Sequence, residues 1–137
     1  ASVAIGGEGC GQIGRGFLVL LGVGPNDTEA QAARLADKVT GLRVFEDENE
    51  KMNRNLAAVG GGLLVVSQFT LYADTKSRRP GFTGAAKPDV AIPLYEAFLS
   101  ECARLGFPPQ HGRFGADMQV YSVNDGPVTI LLDTDLM

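Results

Sequence analysis

Two uninterrupted apolar runs stand out in the pattern of hydrophobic and polar positions along the chain. The first extends from Phe17 to Val23, and the second lies within GGGLLVVSQFTLYA, residues 60–73. A run without a charged residue, bounded by glycine, is typical of a strand that is covered on both faces. The first run therefore predicts a central strand of a sheet, and the second predicts another strongly apolar strand.

Two other segments carry apolar residues at the spacing of an amphipathic helix. The first is residues 25–42, with Asp27 or Thr28 as its cap and Gly41 at its end. The second is residues 88–106, with Asp89 as its cap. The predicted buried stripes are Ala32, Leu35, Ala36, Val39 and Leu42 in the first helix, and Leu94, Phe98, Cys102 and Leu105 in the second.

Shorter patterns complete the predicted order of elements. ASVAI (1–5) predicts a strand before a glycine-rich turn, and RVFED (43–47) predicts a short strand before a polar turn. DMQVYSVN (117–124) and VTILLD (128–133) predict a hairpin around Asp125-Gly126. The whole chain, residues 1–137, is therefore predicted to be one compact α/β domain with a mixed, largely antiparallel sheet and at least two helices.

Composition and charge narrow the possible partners. The formal net charge of −4 argues against broad electrostatic binding to duplex nucleic acid. The sharpest basic cluster, TKSRRP with Lys76, Arg78 and Arg79, is either a solvated loop or a small local contact. The apolar runs are too short to span a bilayer, so no membrane partner is expected. Without a signal peptide pattern, Cys10 and Cys102 are predicted to be reduced thiols in a cytoplasmic protein.

The inventory of strong catalytic groups is poor. The single histidine, His111, lies in a loop rich in proline and glycine and is expected to be a surface residue. No HExxH, CxxC or GxSxG motif occurs, so neither a metal site nor a serine nucleophile elbow is predicted. GGEGCGQIG is similar to a dinucleotide fingerprint, but a strand follows it where that motif needs a helix, so a hairpin loop is predicted instead.

SQFTL, residues 67–71, places polar residues at the end of an apolar strand. A period of two puts Gln68 and Thr70 on one face, and Ser67, Phe69 and Leu71 on the other. The segment is either an edge where the strand leaves the core or a cleft where Gln68 and Thr70 bind a ligand. A second unusual stretch is NDGPVT, residues 124–129, where Pro127 offers no N–H to the strand predicted to follow.

Together, SQFTL, RFGADMQV (113–120) and NDGPVT resemble the D-aminoacyl-tRNA deacylase family, also called D-tyrosyl-tRNA deacylase. The resemblance covers essentially the whole chain, including GFLVLLGV and KMNRN. It implies a homodimer with the active site at the subunit interface. It also implies hydrolysis of the ester between a D-amino acid and the 3′-terminal adenosine of tRNA, with no metal or cofactor. Family members carry a further first strand with a Gln-Arg-Val stretch, so we expect a segment to precede Ala1.

The resemblance also implies roles for particular residues. The catalytic segment is Ser67, Gln68, Phe69 and Thr70, where the N–H of Phe69 is placed to stabilise the oxyanion. Thr70 has no evident base beside it, so a supporting role is expected, with the 2′-hydroxyl of the adenosine assisting. Phe114 and Met118 line an adenine pocket, or are ordinary core residues.

The same resemblance answers the question that Pro127 raises. The Gly126–Pro127 bond is implied to be cis, with both carbonyl oxygens turned into the partner subunit's active site. There they exclude the side chain of an L-amino acid, whereas a D-amino acid presents hydrogen. Three other functions remain open at this point: a deacylase with relaxed chirality, an RNA-end-binding module without turnover, and a dimerisation domain without a pocket at SQFTL.

Overall fold

The computed structural model describes residues 1–137, which form eight strands, three α-helices and two 3₁₀ helices. In chain order these are β1 (Ser2–Ile5), β2 (Glu8–Gln12), β3 (Gly16–Leu21), α1 (Glu29–Gly41), β4 (Phe45–Glu46), β5 (Met52–Arg54), α2 (Leu56–Val59), β6 (Gly62–Ser67), a 3₁₀ helix (Phe69–Tyr72), α3 (Pro88–Arg104), β7 (Gln110–His111), β8 (Gln119–Tyr121) and a second 3₁₀ helix (Thr134–Leu136). None of the helices is long and apolar enough to cross a membrane.

The parallel sheet has the strand order β3-β6-β7, so β6 is its middle strand. Phe17 of β3 lies opposite Leu63, and Leu21 lies opposite Ser67. The stretch 63–66 of β6 is almost completely buried. The prediction that the first apolar run is the central strand is therefore wrong. That run forms the edge strand β3, where Leu20 is 43% exposed, because the second run has taken the middle position.

A separate antiparallel sheet has the order β2-β1-β8, and β4 and β5 form an antiparallel pair of their own. The turn between β1 and β2 is Gly6-Gly7, with φ of +57° and +83°, values that favour glycine. The glycine-rich stretch thus contains both the turn of a hairpin and its second strand, β2. The predicted loop from ASVAI to the strand at Phe17 is therefore wrong, because residues 8–12 form β2, which pairs with β1, while β3 lies in the other sheet. The polar turn predicted after RVFED likewise contains a strand, β5; neither strand is predicted, because glycine and polar residues are depleted in strands generally.

Both predicted helices are present, and each packs its apolar face against the sheet. Thr28 caps α1, and its N–H donates to Oε1 of Gln31 at 2.7 Å. The cap of α3 is Lys87 rather than Asp89, because Pro88 takes the first helical position, where its missing N–H costs nothing. Asp89 instead lies in the first turn, where a carboxylate favours the positive end of the helix dipole.

The buried core lies between the parallel sheet and the two long helices, whose buried positions follow the predicted stripes. Its members are Leu21, Ala36, Val39, Leu56, Leu63, Val65, Tyr95, Phe98 and Cys102. The α/β class, the mixture of parallel and antiparallel strands and the two predicted helices are confirmed.

The predicted C-terminal hairpin is wrong. β8 pairs with β1 instead of with a following strand, and VTILLD forms no strand at all. Residues 122–132 make no backbone–backbone hydrogen bond. An apolar segment forms a strand only if a partner strand is available, and a single copy of the chain supplies none for VTILLD.

Candidate active site

The segment Ser67–Thr70 leaves the middle strand of the parallel sheet and turns at once into a 3₁₀ helix. The N–H of Gln68 donates to the carbonyl of Leu21 at 2.8 Å, which extends the pairing with β3 by one residue. The N–H of Leu71 then donates to the carbonyl of Gln68 at 3.2 Å, which closes the first turn. The N–H groups of Phe69 and Thr70, as the first two of this helix, have no partner within it.

The turn changes which side chains meet. A strand would have continued the period of two through Leu71, and that prediction is wrong because the strand ends at Ser67. Gln68 and Thr70 nevertheless lie together, since Nε2 of Gln68 donates to the hydroxyl oxygen of Thr70. The hydroxyl therefore accepts from Gln68, which leaves its proton free to be donated outward.

Phe69 and Thr70 are exposed, so a ligand can reach their backbone. The ring of Phe69 is 55% exposed and packs edge-on against Phe82, with 5.1 Å between the ring centroids. Gln68 is the only side chain that forms a hydrogen bond with Thr70. No histidine or carboxylate activates its hydroxyl, so the geometry favours a supporting role for Thr70 over a nucleophilic one.

Tyr72 fixes the far end of the 3₁₀ helix by packing on backbone. A Cβ built on Gly22 or Gly24 would lie 3.1 Å from the nearest atom of the Tyr72 side chain, so glycine at both positions permits the contact. Partial burial, with Asp27 nearby, raises the pKa of Tyr72 above its usual value. Sequence reasoning missed this residue, although the two glycines after β3 were a signal of close approach.

The two predicted pocket residues lie beside the same strand. The Phe114 ring is half-buried, with its centroid 6.0 Å from that of Tyr95, whose hydroxyl donates to the Val65 carbonyl at 3.3 Å. Phe114 also lines an open cleft of about 420 Å³ between α3 and the stretch 111–114. Met118 rests on Gly112, whose N–H donates to the same carbonyl at 3.2 Å. Phe114 and Met118 are therefore both linked, each through one residue, to the carbonyl of Val65, two residues before Ser67.

Gly126 and Pro127 lie in the exposed segment that follows β8, and the peptide bond between them is cis. Gly126 has φ of +145°, and a Cβ there would lie 2.8 Å from Cγ2 of Val128. Asn124 holds this loop: its Oδ1 accepts from the N–H of Val128 at 2.8 Å, and its Nδ2 donates to the hydroxyl of Thr129 at 3.0 Å.

Asn124 was missed as a loop-holding residue, although asparagine two residues before a turn glycine is a known local signal. Within one chain, no hydrogen bond joins residues 124–129 to Ser67–Thr70. The two parts of the predicted site are therefore built separately in the subunit.

Comparison with known proteins assigns this arrangement to a family. The family model described as D-Tyr-tRNA(Tyr) deacylase matches residues 1–133. The chain belongs to the D-Tyr-tRNA(Tyr) deacylase family. Relatives named D-aminoacyl-tRNA deacylase include those of Roseiflexus castenholzii (58% identical, 98% of this chain and 86% of the relative) and Lacticaseibacillus casei (57% identical, 98% and 92%). The predicted family and the prediction that the chain is an enzyme are confirmed.

Solved structures agree on the fold of this deacylase family member. A structure titled c-Myc DNA Unwinding Element Binding Protein matches with a TM-score of 0.90 and 41% identity, over 96% of this chain and 91% of the other. A structure titled as a probable eukaryotic D-amino acid tRNA deacylase matches with a TM-score of 0.74 over 88% of each chain. At 15% identity, the second match shows the fold alone.

Proposed function

We propose that the chain hydrolyses the ester bond between a D-amino acid and the 3′-terminal adenosine of tRNA, and releases the free amino acid and the tRNA. The observation that carries this proposal is the exposed turn at Phe69–Thr70. It offers two backbone N–H groups without a partner in their own helix, at the open end of the middle strand. Family membership and the names of the relatives support the same reaction.

Backbone donors suffice for this reaction because an aminoacyl ester is an activated substrate. The developing negative charge on the carbonyl oxygen needs fixed hydrogen-bond donors, and preorganised N–H groups supply them without rearrangement. We assign this role to the N–H of Phe69. Thr70, whose oxygen accepts from Gln68, donates its proton to the substrate, and the 2′-hydroxyl of the adenosine assists the attack of water. This reaction uses no metal or cofactor.

The adenosine is bound next to this turn. Phe114 and Met118, which the contacts with Tyr95 and Gly112 place beside β6, line the pocket for its adenine. A half-buried aromatic ring that lines an open cleft is a surface on which an unpaired base stacks. The substrate ester then extends from this pocket toward the N–H of Phe69.

A second copy of the chain completes the site. The segment that follows β8 exposes apolar side chains and unpaired backbone groups together: Val123 is 91% exposed and Leu131 is 84% exposed. A segment with free N–H and C=O groups next to an edge strand is a template for pairing with another chain. We assign that partner to a second copy, so that the Gly126–Pro127 loop of one subunit faces Phe69 and Thr70 of the other.

Selection of D-amino acids follows from exclusion rather than attraction. Backbone carbonyls of Gly126 and Pro127, placed against the substrate Cα, leave no room for a side chain on the L side. The absence of a Cβ at Gly126 allows this close approach. Glycine carries hydrogen at both positions, so the same site also accepts Gly-tRNA.

The direct test is the loss of ester from D-Tyr-tRNA and L-Tyr-tRNA incubated with the purified protein, before and after exhaustive chelation. We expect hydrolysis of the D-substrate only, unchanged by the chelator. Comparable hydrolysis of both would favour a deacylase with relaxed chirality. Tight binding without turnover would favour an RNA-end-binding module, and activity restored by a defined metal would overturn the metal-independent mechanism.

A further inference from the structure

Beside the candidate active site, the loop from Asp74 to Gly81 forms a small closed hairpin. The N–H of Asp74 donates to the carbonyl of Gly81 at 2.7 Å, and the reverse bond is 2.9 Å long. Two bonds order the tip: Asp74 Oδ1 accepts from the N–H of Lys76 at 3.0 Å, and the hydroxyl of Ser77 donates to the Arg79 carbonyl at 2.9 Å. We call residues 74–81 the basic hairpin, because Lys76, Arg78 and Arg79 extend from it.

These cations differ from most of the other arginines in the chain. Arg54 pairs with Glu48 at 2.9 Å, and Arg104 pairs with Glu101. Arg15 stacks over the ring of Phe45 at 5.2 Å, and Arg34 donates to carbonyls near the C-terminus. The three cations of the basic hairpin are exposed and take part in no ion pair. They form a local positive patch on a chain whose net charge is −4.

The basic hairpin is joined directly to the site. Phe82, the residue after it, packs against Phe69. Farther along the same loop, the N–H of Ala86 donates to the carbonyl of Val23 at 2.9 Å, which ties the loop to the segment that follows β3. The cations are thus held on a short, ordered arm whose base contacts the side chain at the centre of the site.

We propose that the basic hairpin binds phosphates of the tRNA acceptor end while the terminal adenosine occupies the site. This rests on the proposed function. A substrate whose last nucleotide lies beside Phe69 carries its remaining phosphates outward from there, and unpaired cations on an adjacent arm are complementary to them. The hairpin therefore gives affinity for tRNA without contributing to the chemistry at the ester.

The limited number of cations sets the expected salt dependence. Each phosphate contact contributes about −0.7 to the slope of log affinity against log salt for a single strand, so three contacts contribute about −2. A fourfold rise in salt then weakens binding through the hairpin by about 16-fold. This contribution of the basic hairpin to the salt dependence of binding is lost when its three cations are removed.

The test variant is Lys76→Gln/Arg78→Gln/Arg79→Gln. The matched control, Lys38→Gln/Arg43→Gln/Lys51→Gln, removes the same charge from exposed residues on α1 and the segments that follow it. Four quantities are measured over the fourfold salt range: the Kd for uncharged tRNA (tRNA without an amino acid), kcat and KM for D-Tyr-tRNA, and the rate on D-tyrosyl-adenosine, which has no phosphate.

For the test variant we expect a salt slope about 2 units shallower, a raised KM for D-Tyr-tRNA, and an unchanged kcat and rate on D-tyrosyl-adenosine. The control variant keeps the unmodified protein's slope. Three results would overturn the proposal: an unchanged slope in the test variant, an equal loss in the control, or an equal loss on D-tyrosyl-adenosine. If the unmodified protein hydrolyses neither substrate, the proposed function fails, and the Kd for uncharged tRNA still decides the role of the hairpin.

Discussion

Ser67–Thr70 leaves the middle of a buried sheet, whereas Gly126–Pro127 lies in a segment that forms no strand. The first segment follows four almost completely buried residues and is tied to Leu21 by a backbone hydrogen bond. The second makes no backbone–backbone hydrogen bond between residues 122 and 132, and its order comes from the side chain of Asn124.

The difference indicates how the proposed work of the site is divided. The core of the chain positions the backbone donors that we propose serve the chemistry, because the turn at Phe69 is fixed by the strand before it. The loop proposed to select between D- and L-substrates depends on local side-chain bonds and, in the proposed dimer, on a second copy. Mutations should therefore affect catalysis and selectivity separately.

The largest expected effect comes from truncating a leucine in each region. Leu63 is 2% exposed, so Leu63→Ala removes core contacts and leaves a cavity; we expect the free energy of unfolding to fall by about 2–5 kcal/mol, measured by denaturant titration. Leu131 is 84% exposed within the chain, so Leu131→Ala is expected to weaken the proposed dimer, with more monomer seen by sedimentation velocity. The comparison would be contradicted if Leu63→Ala changed only the amount of monomer and Leu131→Ala changed only the free energy of unfolding.

The sequence predicted the region around Ser67–Thr70 better than the exposed region around Gly126–Pro127. The helical stripe through Ala36 and Val39 and the apolar run through Val65 were sufficient to predict these buried elements. The spacing of apolar residues indicates burial against other elements of the same chain. VTILLD carries the same apolar signal, but its pattern does not say whether the pairing strand belongs to the same chain. The strand was therefore predicted and is absent from the subunit.

Within the site, motifs identified residues but not their geometry. SQFTL alternates as a strand does, yet it turns at Gln68: the bond from its N–H to the carbonyl of Leu21 is the last of the ladder, and its carbonyl then accepts from the N–H of Leu71 in a 3₁₀ turn. The support from Tyr72 depends on a close approach across the fold to Gly22 and Gly24. Local sequence carries little information about such contacts.

A smaller effect is expected from Asn124→Ala, which removes both bonds that hold the Gly126–Pro127 loop. At about 1 kcal/mol for each bond, the discrimination between D- and L-substrates should fall by roughly ten- to thirtyfold, with most of the activity on D-Tyr-tRNA retained. Asn124→Asp keeps the acceptor for Val128 but loses the donor to Thr129, so an intermediate loss is expected. Equal changes in the rates on D- and L-Tyr-tRNA would show that Asn124 does not act through selectivity.

At Thr70 the expected effect is smaller again. Thr70→Ser keeps the hydroxyl and should stay active, and Thr70→Ala should lose about five- to tenfold in kcat, the value of one hydrogen bond to the substrate. Single-turnover hydrolysis of D-Tyr-tRNA measures both. Trapping of a covalent aminoacyl-Thr70 species would restore the nucleophile mechanism and contradict ours.

The last effect, absent at neutral pH, concerns Cys102 in the buried core. Burial, with a contribution from Glu101, raises the pKa of this thiol from 9.0 to about 11. The unfolded chain therefore ionises first, so the folded state loses stability as the pH rises from 9.0 to about 11. Unfolding measured across this range should show a shallower decline for Cys102→Ala, and an identical decline would mean that the thiol does not contribute.

The most direct measurement of the central claim compares Gly-tRNA, D-Ala-tRNA and L-Ala-tRNA on the unmodified protein and on Pro127→Ala. A single methyl group against fixed carbonyls costs roughly 1–3 kcal/mol, so L-Ala-tRNA should be cleaved at least about fivefold more slowly than the other two. Pro127→Ala, which frees the backbone of the loop, should reduce this difference before it reduces the rate on Gly-tRNA. If the unmodified protein cleaves L-Ala-tRNA as fast as Gly-tRNA, steric exclusion by Gly126 and Pro127 is wrong.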